Sequence, residues 1–216
     1  MQIFTLVAQA TVQTLEMVLF STLFSTLLGF PLGILLCMTG PSGITPKKRL
    51  NAVISRVVNV LRSFPFIILM ILLFPLSRLI LGTSIGTVAT IVPLSVAAAP
   101  FVARVIESAL NEVDPEVVQA ARAMGSSNRQ IIFKVLVPEA MPSIVAGVTL
   151  TIINLIGYSA MAGAIGGGGL GDLAIRYGYQ RFRTDVMFWS VIVILVLVEA
   201  VQFVGSRVSN KMLASR

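Results

Sequence analysis

The sequence predicts an all-α polytopic membrane protein with five transmembrane helices. Of its 216 residues, 56% are hydrophobic and only 12% are charged, and the mean hydropathy is +0.94. A soluble domain has about 25% charged residues. Several uncharged stretches are long enough to cross a hydrocarbon core of about 30 Å, because an α-helix rises about 1.5 Å per residue. These observations together place the chain in a lipid bilayer.

Charged residues and turn signals set the boundaries of the five spans within one transmembrane domain, residues 1–216. No charge interrupts Met17–Met38 in the first span, and none interrupts Ala140–Gly171, which holds the fourth span and a glycine-rich exit. The stretch Leu79–Ala103 is also uncharged, but Gly82–Gly86 marks a turn between the second and third spans. The fifth span tolerates Glu199 near its inner end. The predicted spans are residues 15–39, 58–81, 85–110, 140–165 and 186–206.

The distribution of Lys and Arg orients these spans in the membrane. The larger group follows the first, third and fifth spans: Lys47, Lys48, Arg49, Arg56, Arg122, Arg129, Lys134, Arg207, Lys211 and Arg216. The smaller group lies on the opposite side: Arg78, Arg176, Arg181 and Arg183. Cytoplasmic loops carry the excess of Lys and Arg, so we predict an N-terminus outside and a C-terminus in the cytoplasm. No positively charged region precedes the first span, so we expect no cleaved signal peptide.

The composition excludes several classes of chemistry. The chain has no His and one Cys, Cys37, which leaves no internal disulfide, no Cys/His metal site and no His-based catalysis. It lacks a GxxxxGK[ST] phosphate loop, so we expect no ATP bound by this chain. The net charge is +7, but no aromatic residues accompany the basic ones, so we expect no nucleic acid. We therefore predict no catalytic residue, no metal and no cofactor on this chain.

An amphipathic helix is predicted just before the second span. Apolar residues recur there at helical spacing: Leu50, Val53, Ile54, Val57, Val58 and Leu61. This helix could lie at the inner membrane surface or against a neighbouring helix. Pro65 follows it, and a proline there should bend or break the spanning helix, which is tolerable only where protein or a water-filled path covers the freed backbone. Pro75, Pro93 and Pro100 repeat this pattern, which favours a transport path over a passive anchor.

A polar, helix-forming loop at residues 115–138 separates the third span from the fourth. Ala120–Ala121 favours a helix, and Gly125 interrupts it. A second helical stretch follows, and Pro138 should end it. Two short helices joined by a glycine suit the groove of a partner protein. An ordinary loop helix with a C-terminal glycine cap is the alternative.

This loop resembles the EAA loop of ABC-importer permeases. The positions that match the pattern of that family are Ala120, Ala121, Gly125 and Pro138. Gln119 stands where the family has glutamate, and Val135 and Val137 stand where it has isoleucine and leucine. The resemblance implies that the loop couples the chain to a separate ATPase. The residues it assigns to this contact are Gln119, Ala120, Ala121, Arg122, Gly125, Val135 and Pro138.

The stretch Gly157–Phe182 is rich in glycine and holds a second resemblance. Gly166, Gly168 and Gly171 have the spacing of a dinucleotide-binding fingerprint, but no soluble βαβ unit surrounds them, and a flexible turn is a further interpretation. Taken whole, the stretch resembles the corresponding region of methionine-importer permeases. The likeness also covers most of the chain from about residue 50 to residue 183.

This family resemblance implies a type I ABC-importer permease architecture in the bacterial cytoplasmic (inner) membrane. It implies a homodimer, two cytoplasmic ABC ATPase subunits that bind ATP and Mg, and an external substrate-binding lipoprotein. We expect the lipoprotein to dock on the outer glycine-rich stretch. The residues predicted for that contact are Gly168, Gly171, Asp172 and Tyr177.

The outer half of the fourth span holds the candidate substrate path. Its residues recur at helical intervals with no charge nearby: Asn154, Tyr158, Ser159 and Met161. An unpaired ion is costly inside a membrane, so an uncharged path favours a substrate that is neutral overall, such as a zwitterionic apolar amino acid. Met161 is suited to a flexible thioether constriction shared by two subunits. A methionine that faces lipid or fills a packing gap is the alternative.

We therefore predict the permease subunit of an ATP-driven importer that moves methionine, or a closely similar amino acid, by alternating access. A permease for another small amino acid is one alternative. A secondary transporter is another, and Arg104 and Glu107 are its candidate residues for ion coupling. A membrane-embedded enzyme is disfavoured because no nucleophile–base constellation is visible.

Overall fold

Helices account for the regular structure of residues 2–214, the part of the chain that the computed structural model describes. In chain order they are α1 (Gln2–Thr39), α2 (Lys48–Ser63), α3 (Phe66–Leu81), α4 (Thr87–Asn111), α5 (Pro115–Ala123), α6 (Asn128–Gly163), α7 (Gly169–Leu173) and α8 (Thr184–Ala214). A π-helical segment, Ile131–Leu136, lies within α6, and a second one, Ala174–Tyr179, continues α7. No strand occurs in this part of the chain, so the predicted all-α class is confirmed.

Four of these helices are long and apolar enough to cross a membrane: α1, α4, α6 and α8. The fifth candidate is the pair formed by α2 and α3, which are bent by 107° relative to each other. The predicted range 58–81 therefore contains a break, because α2 ends at Ser63 and the apolar helix resumes at Phe66. Pro65 explains the break: it pushes Phe64 into an extended conformation, with φ −70° and ψ 135°. The bend predicted at this proline is confirmed.

The other prolines behave differently from the prediction. Pro75 lies inside α3, and Pro93 and Pro100 lie inside α4, yet both helices continue through them. The expectation was a bend or a break, and no break occurs at these three prolines. Pro93 and Pro100 are buried inside the bundle, where neighbouring helices support a membrane helix that lacks a hydrogen bond.

Helix α4 packs along α1 through two glycines. A Cβ atom at Gly29 would lie 2.7 Å from the carbonyl oxygen of Ala99, and one at Gly33 would lie 2.7 Å from that of Ala103. Gly29 and Gly33 are four residues apart, the small-residue spacing that lets membrane helices approach until their backbones touch. The Gly29–Gly33 contact, as we call it, was not predicted from the sequence.

The two helices run in the same direction. The Ser21 hydroxyl, at the middle of α1, donates a hydrogen bond over 3.4 Å to the Ile91 carbonyl, near the beginning of α4. Near their ends, the Cys37 thiol donates to Oδ1 of Asn111 over 3.3 Å. Parallel packing of the first and third spans agrees with chain segments that cross the membrane in alternating directions.

Helix α1 is longer than a bilayer requires. It has 38 residues, and at about 1.5 Å per residue this exceeds a hydrocarbon core of about 30 Å. Its first turns pack against the beginning of α8 and against α7. The buried residues of this cluster are Val7, Ala10, Leu170, Leu173 and Val186. The extra length of α1 therefore supports the glycine-rich segment that follows α6.

Candidate functional site

The predicted path residues lie near the end of α6. Tyr158 follows Asn154 by one helical turn, and Met161 follows Asn154 by two turns. The three residues therefore share one face of the helix. Met161 is 45% exposed, and the side-chain amide of Asn154 makes no hydrogen bond within residues 2–214. This face therefore offers a thioether, a phenol ring and an unpaired amide.

Ser159 does not belong to this face. Its side chain is buried, and its hydroxyl donates a hydrogen bond to the Ile156 carbonyl over 2.8 Å. The hydroxyl satisfies the backbone of its own helix in the interior of the subunit. The assignment of Ser159 to the substrate path is therefore corrected.

Phe66 of α3, which was not predicted, lies against the face of α6 that holds Tyr158. The rings of Phe66 and Tyr158 are stacked, with centroids 4.1 Å apart and planes 8° apart. Phe66 is the first residue of α3 after the break at Pro65. The break thus places an aromatic ring directly against the path face. An aromatic residue immediately after the proline was the signal in the sequence.

Arg104 and Glu107, the candidates for ion coupling, are committed to the structure. Nη1 of Arg104 lies 2.6 Å from Oε2 of Glu107, one turn along α4. Nη2 of Arg104 donates hydrogen bonds to Oδ1 of Asn59 over 3.0 Å and to the Ser55 carbonyl over 3.4 Å. These contacts hold the amphipathic helix α2 against α4. The predicted contact of α2 with a neighbouring helix is therefore observed.

The loop between α4 and α6 has well-defined helix ends. The Asp114 side chain accepts a hydrogen bond from the Glu116 N–H over 2.8 Å, which starts α5. Gly125 follows α5 with φ 79°, a left-handed conformation that glycine adopts readily. Ser127 and Gln130 then form a capping box that starts α6. The predicted helix, glycine and second helix are all present.

Pro138 does not end the second helix. The preceding π-helical segment makes a wider turn, in which the Val137 N–H bonds to the Ile132 carbonyl five residues back. A proline ring clashes with the carbonyl four residues before it in a regular α-helix. The wider turn removes this clash, so α6 continues through Pro138 to Gly163. The prediction that Pro138 stops the helix is wrong for this reason.

Helix α5 is fastened to the rest of the subunit on one side. Nη2 of Arg122 donates a hydrogen bond over 2.7 Å to the carbonyl of Ile44, in the segment between α1 and α2. Ala121 is buried in a cluster with Ile131 and Leu136. Ala121 and Arg122 therefore position α5 within its own subunit. Val135 is half-buried and packs against the same cluster.

The other side of α5 is exposed and apolar. Gln119, Ala120 and Gly125 are exposed, as predicted for residues that contact a partner. Three apolar side chains that were not predicted are also exposed in this loop: Val117 and Met124 at α5, and Phe133 in the π-helical segment. Met124 is 80% exposed. The spacing of Val117, Ala120 and Met124 along the helix was the available signal. We call Val117, Ala120, Met124 and Phe133 the α5 apolar face.

The glycine-rich segment after α6 is bound to α1. Gly166, Gly168 and Gly169 have φ between 77° and 89°. The Gly169 N–H donates to Oε1 of Gln13, and the Leu170 N–H donates to Oγ1 of Thr14, both over 2.9 Å. These bonds fix the segment, so it is not the flexible turn considered above. No strand precedes it within the described residues, so it has no dinucleotide-binding context.

The predicted docking residues separate into two groups. Gly171 is buried, and a Cβ there would collide with the backbone of Ala160, so Gly171 serves helix packing rather than an external contact. Asp172 pairs with Arg176 over 2.6 Å. The guanidinium carbons of Arg176 and Arg181 lie 5.4 Å and 4.6 Å from the centre of the Tyr177 ring. Asp172, Tyr177 and the two arginines therefore form an ordered polar surface, to which Gly168 is adjacent in the chain.

Comparison with known proteins places this geometry in a family. The family described as "Binding-protein-dependent transport system inner membrane component" matches residues 29–212. The chain is 50% identical to a probable D-methionine transport system permease protein MetI of Vibrio cholerae, over 93% of this chain and 89% of the relative. It is 46% identical to the methionine import system permease protein MetP of Bacillus subtilis, over 82% of this chain and 79% of the relative.

The fold is also that of a solved transporter. A chain from the inward-facing MetNI methionine ABC transporter superposes with a TM-score of 0.95, at 44% identity and with 97% of each chain covered. The match includes the broken helix pair, the α5 loop and the glycine-rich segment, because it extends over nearly the whole chain. The protein belongs to the family of binding-protein-dependent transport system inner membrane components, the membrane-embedded permeases of ABC importers.

Proposed function

We propose that this chain is the permease subunit of an ATP-driven methionine importer in the bacterial inner membrane. The observation that carries the proposal is its 44–50% identity, over most of its length, to permeases of methionine transport systems. The uncharged face of α6 supports it chemically. A zwitterion that is neutral overall can pass groups such as Asn154, Tyr158 and Met161 without leaving an unpaired charge in the membrane.

The working unit in this proposal is a homodimer with two ATPase subunits and an external substrate-binding lipoprotein. ATP and Mg bind to the ATPase subunits, and this chain binds neither. The α5 apolar face contacts the ATPase, because exposed apolar groups in a polar loop suit a groove in a partner. The lipoprotein docks on the outer surface formed by Gly168, Asp172 and Tyr177.

Transport proceeds by alternating access. ATP-driven closure of the ATPase pair moves both α5 helices, and the two bundles rock so that the path opens to one side and then to the other. Shifting such an equilibrium from 1:99 to 99:1 requires about 5.5 kcal/mol of differential binding. ATP and the loaded lipoprotein together supply this free energy.

Methionine uptake by the reconstituted complex tests the substrate assignment. The complete complex in proteoliposomes, with ATP at the cytoplasmic face and binding protein outside, should accumulate labelled methionine. An ATPase variant that binds but does not hydrolyse ATP is the matched control and should remain at background. Competition by excess unlabelled leucine, glutamine or lysine should be weak. Preferential uptake of one of these would instead support a permease for another small amino acid.

The orientation can be tested with single cysteines. In a Cys37→Ser background, Thr83→Cys lies in the turn between α3 and α4, and Ala123→Cys lies on α5. Both positions are exposed. The positive-inside bias predicts that a membrane-impermeant maleimide labels position 83 in intact cells. It should label position 123 only after permeabilisation. Labelling of position 123 in intact cells would reverse the orientation.

A further inference from the structure

An apolar groove beside the middle of α1 has a single carboxylate in its lining. Phe20 and Phe24 of α1, Ile80 and Leu81 at the end of α3, and Val88 and Val92 near the start of α4 form its apolar walls. The groove has a volume of about 490 Å³. Glu16 completes it, one turn before Phe20 on the same face of α1. The groove therefore has an acidic end and an apolar length.

Glu16 has no ion-pair or hydrogen-bond partner among residues 2–214. It is the first charged residue of the chain and lies at the start of the predicted first span, residues 15–39. A carboxylate at the edge of the hydrocarbon core is costly unless a cation or a hydrogen-bond donor accompanies it. Arg78, on α3, is not within ion-pair distance of it. Glu16 is exposed, so its carboxylate is open to a partner from outside this subunit.

The lipid bilayer supplies a molecule that satisfies both parts of the groove. A phospholipid has its headgroup at the membrane surface and its acyl chains in the hydrocarbon core. An ammonium headgroup donates charge-assisted hydrogen bonds to a carboxylate, while an acyl chain fills the apolar length of the groove and packs against its walls. An anionic headgroup would be repelled by Glu16.

We propose that this groove binds a phosphatidylethanolamine-type lipid, with its ammonium group at Glu16 and one acyl chain along Phe20 and Phe24. The assignment to the outer leaflet rests on the proposed orientation of α1. Because the groove is bordered by α1, α3 and α4, the bound lipid fills the space between α3 and the α1–α4 pair. The lipid is therefore part of the support of α3.

Lipid retention by the purified complex tests this proposal. The complex is equilibrated with mixed micelles that contain equal amounts of phosphatidylethanolamine and phosphatidylglycerol, and the lipids retained after gel filtration are quantified by mass spectrometry. Glu16→Gln should lower the enrichment of phosphatidylethanolamine by about fivefold, which is the effect expected from the loss of one exposed ion pair. Asp185→Asn is the matched control, because Asp185 is an outer carboxylate already paired with Arg183, and it should not change the enrichment.

A second variant tests the apolar part separately. Val92→Trp fills the groove and leaves Glu16 in place, so it should reduce the total lipid retained without changing the gel-filtration profile. Equal retention by wild type, Glu16→Gln and Val92→Trp would overturn the proposal. Disulfide-linked permease pairs formed by Glu16→Cys would also overturn it, because a second copy would then cover the groove. Lipid retention does not depend on transport, so a failure of methionine uptake would leave this result unaffected.

Discussion

Replacement of Met161 by arginine should abolish methionine uptake without preventing assembly with the ATPase. Met161 is nearly half exposed on the face of α6 that also presents Asn154 and Tyr158. An arginine there adds a charge to a face whose other members, Asn154 and Tyr158, are uncharged. A charge in a membrane helix costs up to about 2.5–3.5 kcal/mol, the value for the helix centre. This corresponds to a loss of up to about 100-fold in the population of a conformation that must enclose it.

The measurements for this variant are uptake in proteoliposomes and co-purification with the ATPase. Met161→Leu is the matched control, because it preserves volume and apolar character, and it should retain most of the transport. Normal uptake by Met161→Arg would show that Met161 faces lipid and does not line the path. Loss of assembly in Met161→Arg would show that Met161 packs between subunits.

Replacement of Gly125 by valine should uncouple ATP hydrolysis from transport. Gly125 has φ 79°, and no atom lies within 4 Å of the place where a Cβ would be, so the strain comes from the backbone alone. The left-handed conformation costs about 1–2 kcal/mol for an L-residue, and a β-branched residue is a genuine outlier there. The link between α5 and α6 should therefore relax. The α5 apolar face would no longer be held in one orientation, and coupled hydrolysis should fall about tenfold.

Gly125→Asn separates backbone strain from side-chain bulk. Asparagine tolerates the left-handed conformation better than other residues, so this variant should keep most of its uptake and its coupled hydrolysis. Both variants should remain inserted and folded, because Gly125 lies outside the bundle and is exposed. If valine and asparagine reduce coupling equally, the backbone conformation is not the cause. If neither reduces it, the α5 loop is not the coupling element.

Features that depend on local chemistry could be predicted from the sequence. The number of spans follows from uncharged lengths, and the break before Phe66 follows from the steric effect of Pro65 on the residue before it. The glycine between the two helices of the α5 loop is also local, since Gly125 needs only its own backbone conformation. These predictions required no knowledge of which helices touch.

Features that depend on a distant partner could not be predicted in the same way. The Gly29–Gly33 contact needs the carbonyl groups of α4, which are far away in the sequence. Ser159 shares a helix with the path residues, but only the packing of α6 decides that it faces inward. The helix passes Pro138 because of a π-helical turn, and that turn has no clear sequence signature.

The Gly29–Gly33 contact also bears on which parts of the subunit can move relative to one another. Backbones in direct contact cannot slide past each other, because the side chains of Val102 and Ile106 already fill the space beside the two glycines. We therefore expect helices α1 and α4 to move together as one rigid unit. Arg122 joins α5 to the segment that follows α1, so in the proposed coupling a displacement of α5 would be passed on to α1 and α4.

The break at Pro65 is then the natural hinge. It lies between α2 and α3, and α2 is bonded to α4 through Arg104. Phe66 sits on the far side of this hinge, stacked on Tyr158. A small rotation of α1 and α4 about this hinge would change the distance between the Phe66 and Tyr158 rings. In the proposed function, a displacement of the α5 apolar face would in this way reach the proposed path residue Tyr158 through the hinge at Pro65.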